Sequence, residues 1–83
     1  MPWTIVGREV IDAWVQQEPD DEIRIAVLTW ILGFVDGPGF ADAVPSLTQA
    51  DLFVARVPGT SVIVTFLRLA LLDPPAVAIR AID

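Results

Sequence analysis

Residues 52–82 decide the fold, and they read LFVARVPGTSVIVTFLRLALLDPPAVAIRAI. Apolar residues alternate along much of this stretch, and Val, Ile, Thr and Phe are frequent in it, which is typical of β-strands. Residues 57–60, Val-Pro-Gly-Thr, suit a type II turn with a positive φ at Gly59, and residues 73–75, Asp-Pro-Pro, form a second turn. We therefore predict a three-stranded antiparallel meander with strands at residues 52–57, 61–71 and 76–82.

A short helix is predicted upstream of the meander, at residues 8–17. Val10 and Trp14 are spaced by four residues, as are Ile11 and Val15, so that these side chains share one helical face. The residues before Gly7 are short, apolar and β-favouring. They form either a strand at residues 3–6 or an extended lead-in.

A second, longer helix is predicted from Pro19 to about Val35. Proline suits the first helical position, and the three acids at residues 20–22 complement the positive end of the helix dipole. Residues 36–39, Asp-Gly-Pro-Gly, end the helix because glycine adopts left-handed geometry and proline cannot continue the hydrogen bonding.

The second helix is apolar around most of its circumference. One stripe consists of Ile23, Val27, Trp30, Ile31 and Phe34, and the other of Ile25, Leu28, Leu32 and Val35. A helix of this kind is buried on most sides. The first stripe is enough to cover a three-stranded sheet, and only the short first helix remains to cover the second. We expect another protein chain to cover it. The alternative is a compact monomer in which the two helices together bury both stripes.

The remaining segment, residues 40–51, has no clean period and contains Pro45. We interpret it as a connector with room for one turn at residues 46–49. The element order is then (β)-α-α-β-β-β in a single domain, residues 1–83. The predicted class is α+β, with an N-terminal helical hairpin packed on a three- to four-stranded antiparallel sheet, and a short strand before the hairpin if residues 3–6 form one.

Composition excludes several chemistries. The 83 residues include no Cys, so neither disulfides nor thiolate chemistry are available. They include no His either, which rules out a His general base, a His-based triad and His metal ligands. We predict no catalytic residue, no cofactor and no metal site, and an enzyme is not favoured.

The charge of the chain argues against two classes of partner. The net charge is −6, whereas nucleic acids and anionic membrane surfaces both attract clustered Lys and Arg. The longest uncharged stretch, residues 25–35, is too short to span a membrane. The N-terminus has no basic region of the signal-peptide kind, so we predict a cytoplasmic location.

A few side chains have both a functional and a structural interpretation. Arg56, Arg68 and Arg80 lie on three successive predicted strands and would form a small anion site if the register brings them together. The interpretation we prefer is that each covers apolar surface with its stem and reaches water. Trp14 is either a binding anchor or a core residue. The acids at residues 20–22 are read as a helix start rather than a metal cluster.

The element order, and above all the hairpin DLFVARVPGTSVIVTF at residues 51–66, resembles the RelE/ParE superfamily of small toxins from toxin–antitoxin pairs. The resemblance implies a helical hairpin on an antiparallel sheet and an antitoxin-type partner. Ribonucleases of that family use basic residues and often a Tyr or His. Here only Arg56 takes such a place, Ile63 stands where a second Arg commonly follows the turn, and the chain is acidic. The resemblance therefore implies a fold and a protein partner rather than nuclease chemistry.

Two classes of function remain open, together with a weaker third. The first is a RelE/ParE-like toxin-family domain that acts by protein–protein contact, in a hetero-complex or as a homo-oligomer. The second is a structural or adaptor subunit that oligomerises through its apolar helix, and the third is a weak ribonuclease that uses Arg56. The candidate partner-binding residues are Trp14, Ile25, Leu28, Leu32, Val35, Arg56, Arg68 and Arg80.

Overall fold

The computed structural model describes residues 2–83. Its helices are α1 (Arg8–Gln17) and α2 (Asp21–Leu32), and its strands are β1 (Thr4–Val6), β2 (Val44–Pro45), β3 (Leu52–Arg56), β4 (Ile63–Leu69) and β5 (Ala76–Ile82). The strands form one sheet in the order β1-β5-β4-β3-β2, in which β1 is parallel to β5 and the other neighbours are antiparallel. The predicted α+β class is confirmed, but the sheet has five strands and mixed polarity.

The β3–β4–β5 meander is the part of the sheet that the sequence predicts. Gly59 has a φ of 78°, and the Thr60 N–H donates to the Val57 carbonyl over 3.1 Å, as the predicted turn requires. β4 is shorter than predicted at both ends. The Thr60 hydroxyl accepts from the Val62 N–H over 3.0 Å before the strand begins, and the chain turns again directly after Leu69.

Both outer strands correct the prediction. β1 confirms a strand within residues 3–6, but it runs parallel to β5, with Ile5 opposite Val77. β2 lies inside the segment interpreted as a connector, where Val44 is opposite Val54. β2 has only two residues, too few to show a period, and Pro45 has no N–H to donate to a strand ladder. For these reasons the sequence did not indicate β2.

The start of α2 lies two residues beyond the predicted one. The Asp20 carboxylate accepts from the N–H groups of Glu22 and Ile23, over 2.9 and 3.2 Å. Asp20 is therefore the N-cap, a position that favours Asp because its side chain satisfies free N–H groups of the first turn. Pro19 lies before the cap rather than in the helix.

The end of α2 also differs from the prediction. The α-helix stops at Leu32 and the chain tightens into a 3₁₀ turn over Gly33–Asp36, which contains Val35. Gly37 then takes a φ of 108°, which glycine adopts readily, and a second 3₁₀ turn, Pro38–Phe40, follows it.

Both helices lie on one face of the sheet. The core consists of Val27, Ile31, Phe34, Ala55, Val57, Val62, Val64, Phe66, Val77, Ile79 and Ile82. The ring centroids of Phe34 and Phe66 are 4.8 Å apart, which joins the end of α2 to the middle of the sheet. α1 packs over β5 through partly buried side chains, including Trp14. The first stripe predicted for α2 is thus the one that faces the sheet.

The opposite side of the sheet carries no helix in the part of the chain that the structure describes. Strand pairs such as Leu52–Leu67 and Val6–Ala78 lie on that side, and none of these residues belongs to the core. We name this surface the outer sheet face. Its members are Thr4, Val6, Val44, Leu52, Val54, Arg56, Ile63, Thr65, Leu67, Leu69, Ala76, Ala78 and Ala81, of which Ala76 alone is buried.

Candidate functional site

The second predicted stripe of α2 lies on the protein surface. Ile25 and Leu32 are each 65% exposed, Val35 is 38% exposed, and Leu28 is half-buried. On the opposite side of the same helix, Val27 is completely buried. We name the four outward residues the α2 stripe. A contiguous exposed row of large aliphatic side chains is typical of a contact surface for another molecule.

A groove between α1 and α2 continues the α2 stripe. Its volume is about 360 Å³, and it is lined by Ile5, Arg8, Ile11, Asp12, Leu28, Ile31 and Leu32. The walls are mostly apolar, and at the rim the Arg8 Nε lies 3.7 Å from an Asp12 carboxylate oxygen. Both side chains are well exposed, so this ion pair adds little to stability and can exchange for contacts with a partner.

The sequence did not indicate this groove. The apolar spacing within each helix shows that Ile11 faces inward or sideways on α1 and that Leu28 does so on α2. The angle between the two helices depends on how they pack on the sheet, and neither pattern contains that information.

Trp14 lies apart from the α2 stripe. It is half-buried on α1 and packs against the core. Its outer edge lines a shallow depression between α1 and the end of β5, beside Ile82 and Asp83. The structure thus places Trp14 mainly in the support of α1.

The three candidate arginines lie on different parts of the sheet. Arg56 is exposed on the outer sheet face, opposite Ile63. Arg68 lies on the core side of β4, near its end, with its guanidinium carbon 4.9 Å from the centroid of the Phe53 ring. Arg80 is exposed where the β4–β5 register shifts. The register therefore does not assemble the three guanidinium groups into one anion site.

The acids before and within the first turn of α2 are used by the helix itself. Asp20 is the N-cap, and Asp21 forms an ion pair with Arg24. Arg24 also donates from Nη1 to the Glu18 carbonyl over 2.8 Å. Among residues 2–83, no three Asp or Glu side chains lie close enough together to hold a metal ion.

Two partly buried hydroxyl groups have structural partners. The Thr60 hydroxyl donates to the Val57 carbonyl over 2.9 Å, and the Ser46 hydroxyl accepts from N–H groups of its own loop. No charged or polar residue in the described range is buried. None of its helices is both long and apolar enough to cross a lipid bilayer. The α2 stripe and the adjoining groove are therefore suited to apolar contact with another molecule.

The outer sheet face is a second exposed apolar surface, and the sequence patterns did not predict it. Val6, Val44 and Val54 are 47%, 69% and 37% exposed, and Leu67 is half-buried. The sequence of β3 contains a sign of this surface, because apolar residues occur on both faces of the strand. That pattern does not show which face is exposed, since this depends on where the helices pack, and they cover one face and leave the other open.

Comparisons with known proteins identify no relative. The chain matches no protein-family model, and it has no significant match among curated proteins or solved structures. The function is therefore inferred from the geometry of the exposed surfaces, above all the α2 stripe and its groove.

Proposed function

We propose that this domain acts by binding another protein chain through the α2 stripe and the adjoining groove. The contrast within α2 carries the proposal, because Ile25 and Leu32 are 65% exposed while Val27 is fully buried. A surface helix normally directs polar side chains to solvent. Burying a Leu or Ile side chain is worth about 1.5–3 kcal/mol. A complex that buries the exposed part of both side chains gains a corresponding share of this, less the cost of association.

The partner that fits this surface is an amphipathic helix. A third helix can lie along α2 and insert an apolar side chain into the groove between Ile11 and Leu28, in the manner of helix-in-groove recognition. Arg8 and Asp12 at the rim present one cation and one anion. Complementary charges on the partner would fix its direction along the groove.

Among the functional classes, we favour a RelE/ParE-like toxin-family domain with an antitoxin-type partner, located in the cytoplasm. Support comes from the order of β1, helical hairpin and meander, and from the tight turn between β3 and β4. The parallel pairing of β1 departs from the antiparallel sheet that the resemblance implies. The alternative is a structural or adaptor subunit that uses the same α2 stripe to oligomerise.

A weak ribonuclease remains the third candidate. Arg56 is exposed near the β3–β4 turn, and the chain contains no His or Tyr to assist it. An RNA-cleavage assay with the wild type and Arg56→Ala decides this point. Intact RNA with both proteins would eliminate the ribonuclease.

The proposed function is tested by co-expression with the product of the adjacent gene. We expect the two proteins to elute as one complex in size-exclusion chromatography. Leu32→Glu should lose the complex and keep its far-UV circular dichroism spectrum, because Leu32 contributes to the surface rather than the core. Induction of the wild type alone should arrest the growth of a bacterial host, and the adjacent gene should relieve the arrest.

Leu47→Glu is the matched control for this experiment. Leu47 is fully exposed in the loop before β3, so the substitution adds the same charge away from α2. A complex that survives Leu32→Glu, or that Leu47→Glu disrupts equally, would contradict the role of the α2 stripe. Complex formation without growth arrest would favour the adaptor class over the toxin class.

A further inference from the structure

We infer that the outer sheet face is the contact surface of a homodimer, in which two copies pack their sheets face to face. The inference concerns a different surface from the α2 stripe and does not depend on what α2 binds. Two-sheet packing of this kind is a standard way to bury an apolar sheet face. The helices already fill the other face of the same sheet, so a second sheet completes its burial.

The accessible surface area of the chain is larger than expected for a compact monomer, which is consistent with a surface that a second molecule covers. The protein exposes 5391 Å², whereas a compact monomer of 9.0 kDa is expected to expose about 4,850 Å². The excess of about 500 Å² belongs to the whole chain, including the exposed α2 stripe, and it is of the same order as the area of one face of the sheet. With strands about 4.8 Å apart and a rise of about 3.3 Å per residue, that face covers about 400 Å² of plane.

Two such faces approach the size that a specific interface needs. Together they contribute about 800 Å² of plane, and protruding side chains raise the accessible area above this value. A specific interface buries at least about 1,000 Å² in total. A copy of this chain therefore supplies a cover of matching size.

The edges of the sheet are less suited to pairing with a second copy. β1 has 3 residues and β2 has 2, so neither offers a long ladder of free backbone groups. Pro45 also removes one N–H donor from β2. Short edge strands with proline discourage edge-to-edge association. The face is the larger and more apolar surface of the sheet.

The distribution of charge is compatible with two copies meeting at this face. The chain has a net charge of −6, so self-association requires that carboxylates stay apart. β3, β4 and β5 contain no Asp or Glu, and Arg56, a charged member of the outer sheet face, lies at the end of β3 beside the β3–β4 turn. Face-to-face packing directs both helical layers outward and leaves two sheets, about 10 Å apart, between them. The acids of α1 and α2 are then separated by more than the screening length of about 8 Å at physiological salt.

β4 is the middle strand of the five, so the two-fold axis of such a dimer passes close to it. Thr65 and Leu67 are the outward residues near its centre, and each would approach the same strand of the other copy. The two α2 stripes would point to opposite sides of the assembly. The dimer would then present two identical docking surfaces.

The test combines particle mass with site-specific cross-linking. Light scattering between micromolar and submillimolar concentration should give about 18 kDa for the wild type, twice the 9.0 kDa of one chain. Thr65→Glu places a charge at the centre of the face and should halve the mass. Gln16→Glu adds the same charge on exposed α1 and should leave the mass unchanged.

Because the chain has no cysteine, Thr65→Cys can be joined only across copies by a bismaleimide that spans about 10 Å. We expect efficient cross-linking of Thr65→Cys and little of Gln16→Cys. This readout decides the question even if Thr65→Glu fails to fold. A wild type that stays monomeric, or a dimer in which Thr65→Cys cross-links no better than Gln16→Cys, would overturn the inference.

Discussion

The two faces of the β-sheet are similar in composition and opposite in surroundings. On β4, Phe66 is fully buried beneath the helices, while Thr65 and Leu67 on either side of it are half-buried on the open face. An antiparallel sheet with one wet face normally alternates apolar and polar residues. Here both faces are largely apolar, and the chain supplies a cover for one. α2 repeats the contrast, with Val27 buried and Ile25 exposed.

Removal of one side chain from each face of β4 should affect stability very differently on the two faces. Phe66→Ala should lower the free energy of unfolding by about 3–5 kcal/mol, because it leaves a cavity in the core. Leu67→Ala should cost about 1 kcal/mol or less in the monomer, since its surroundings are open. Urea unfolding at concentrations low enough to keep the chain monomeric measures both. Equal losses would show that the two faces are equally packed.

Two glycines with positive φ extend the comparison to the backbone. At Gly7, φ is 93° and an added Cβ would lie 2.3 Å from the Ile79 carbonyl oxygen. At Gly59, φ is 78° and nothing lies within 4 Å of such a Cβ. Gly7→Ala should therefore destabilise by about 2–4 kcal/mol. Gly59→Val should cost about 1 kcal/mol, mainly from the strained φ. Thermal melts that rank the two variants in the reverse order would contradict the close approach at Gly7.

Sequence patterns predicted the elements whose signals are local. α1 has the predicted limits because its side chains are spaced by four, and β5 has them because a turn precedes it. The positive φ of Gly59 follows from its place after a proline in a tight turn. The exposure of the α2 stripe was also predictable, since a short partner helix cannot hide a second row of aliphatic residues.

The sequence was uninformative where structure depends on distant contacts. The parallel pairing of β1 with β5 is set by the path of the chain through both helices, and β2 is stabilised by the strand it joins. For Arg56 and Arg68 the pattern gave the strand on which each residue lies. It could not give the register between strands, which places one arginine on the outer sheet face and the other on the core side.

Two adjacent residues of α2 provide a direct test of whether the α2 stripe is a docking surface. Ile31 is 3% exposed and Leu32 is 65% exposed, so the same change to Glu enters the core in one case and the α2 stripe in the other. Circular dichroism melts, together with size-exclusion chromatography in the presence of the adjacent gene's product, report both folding and binding. We predict that Ile31→Glu unfolds the chain, whereas Leu32→Glu melts within a few degrees of the wild type and no longer forms the complex. If Leu32→Glu also unfolds the chain, or folds and still forms the complex, the α2 stripe is not a docking surface.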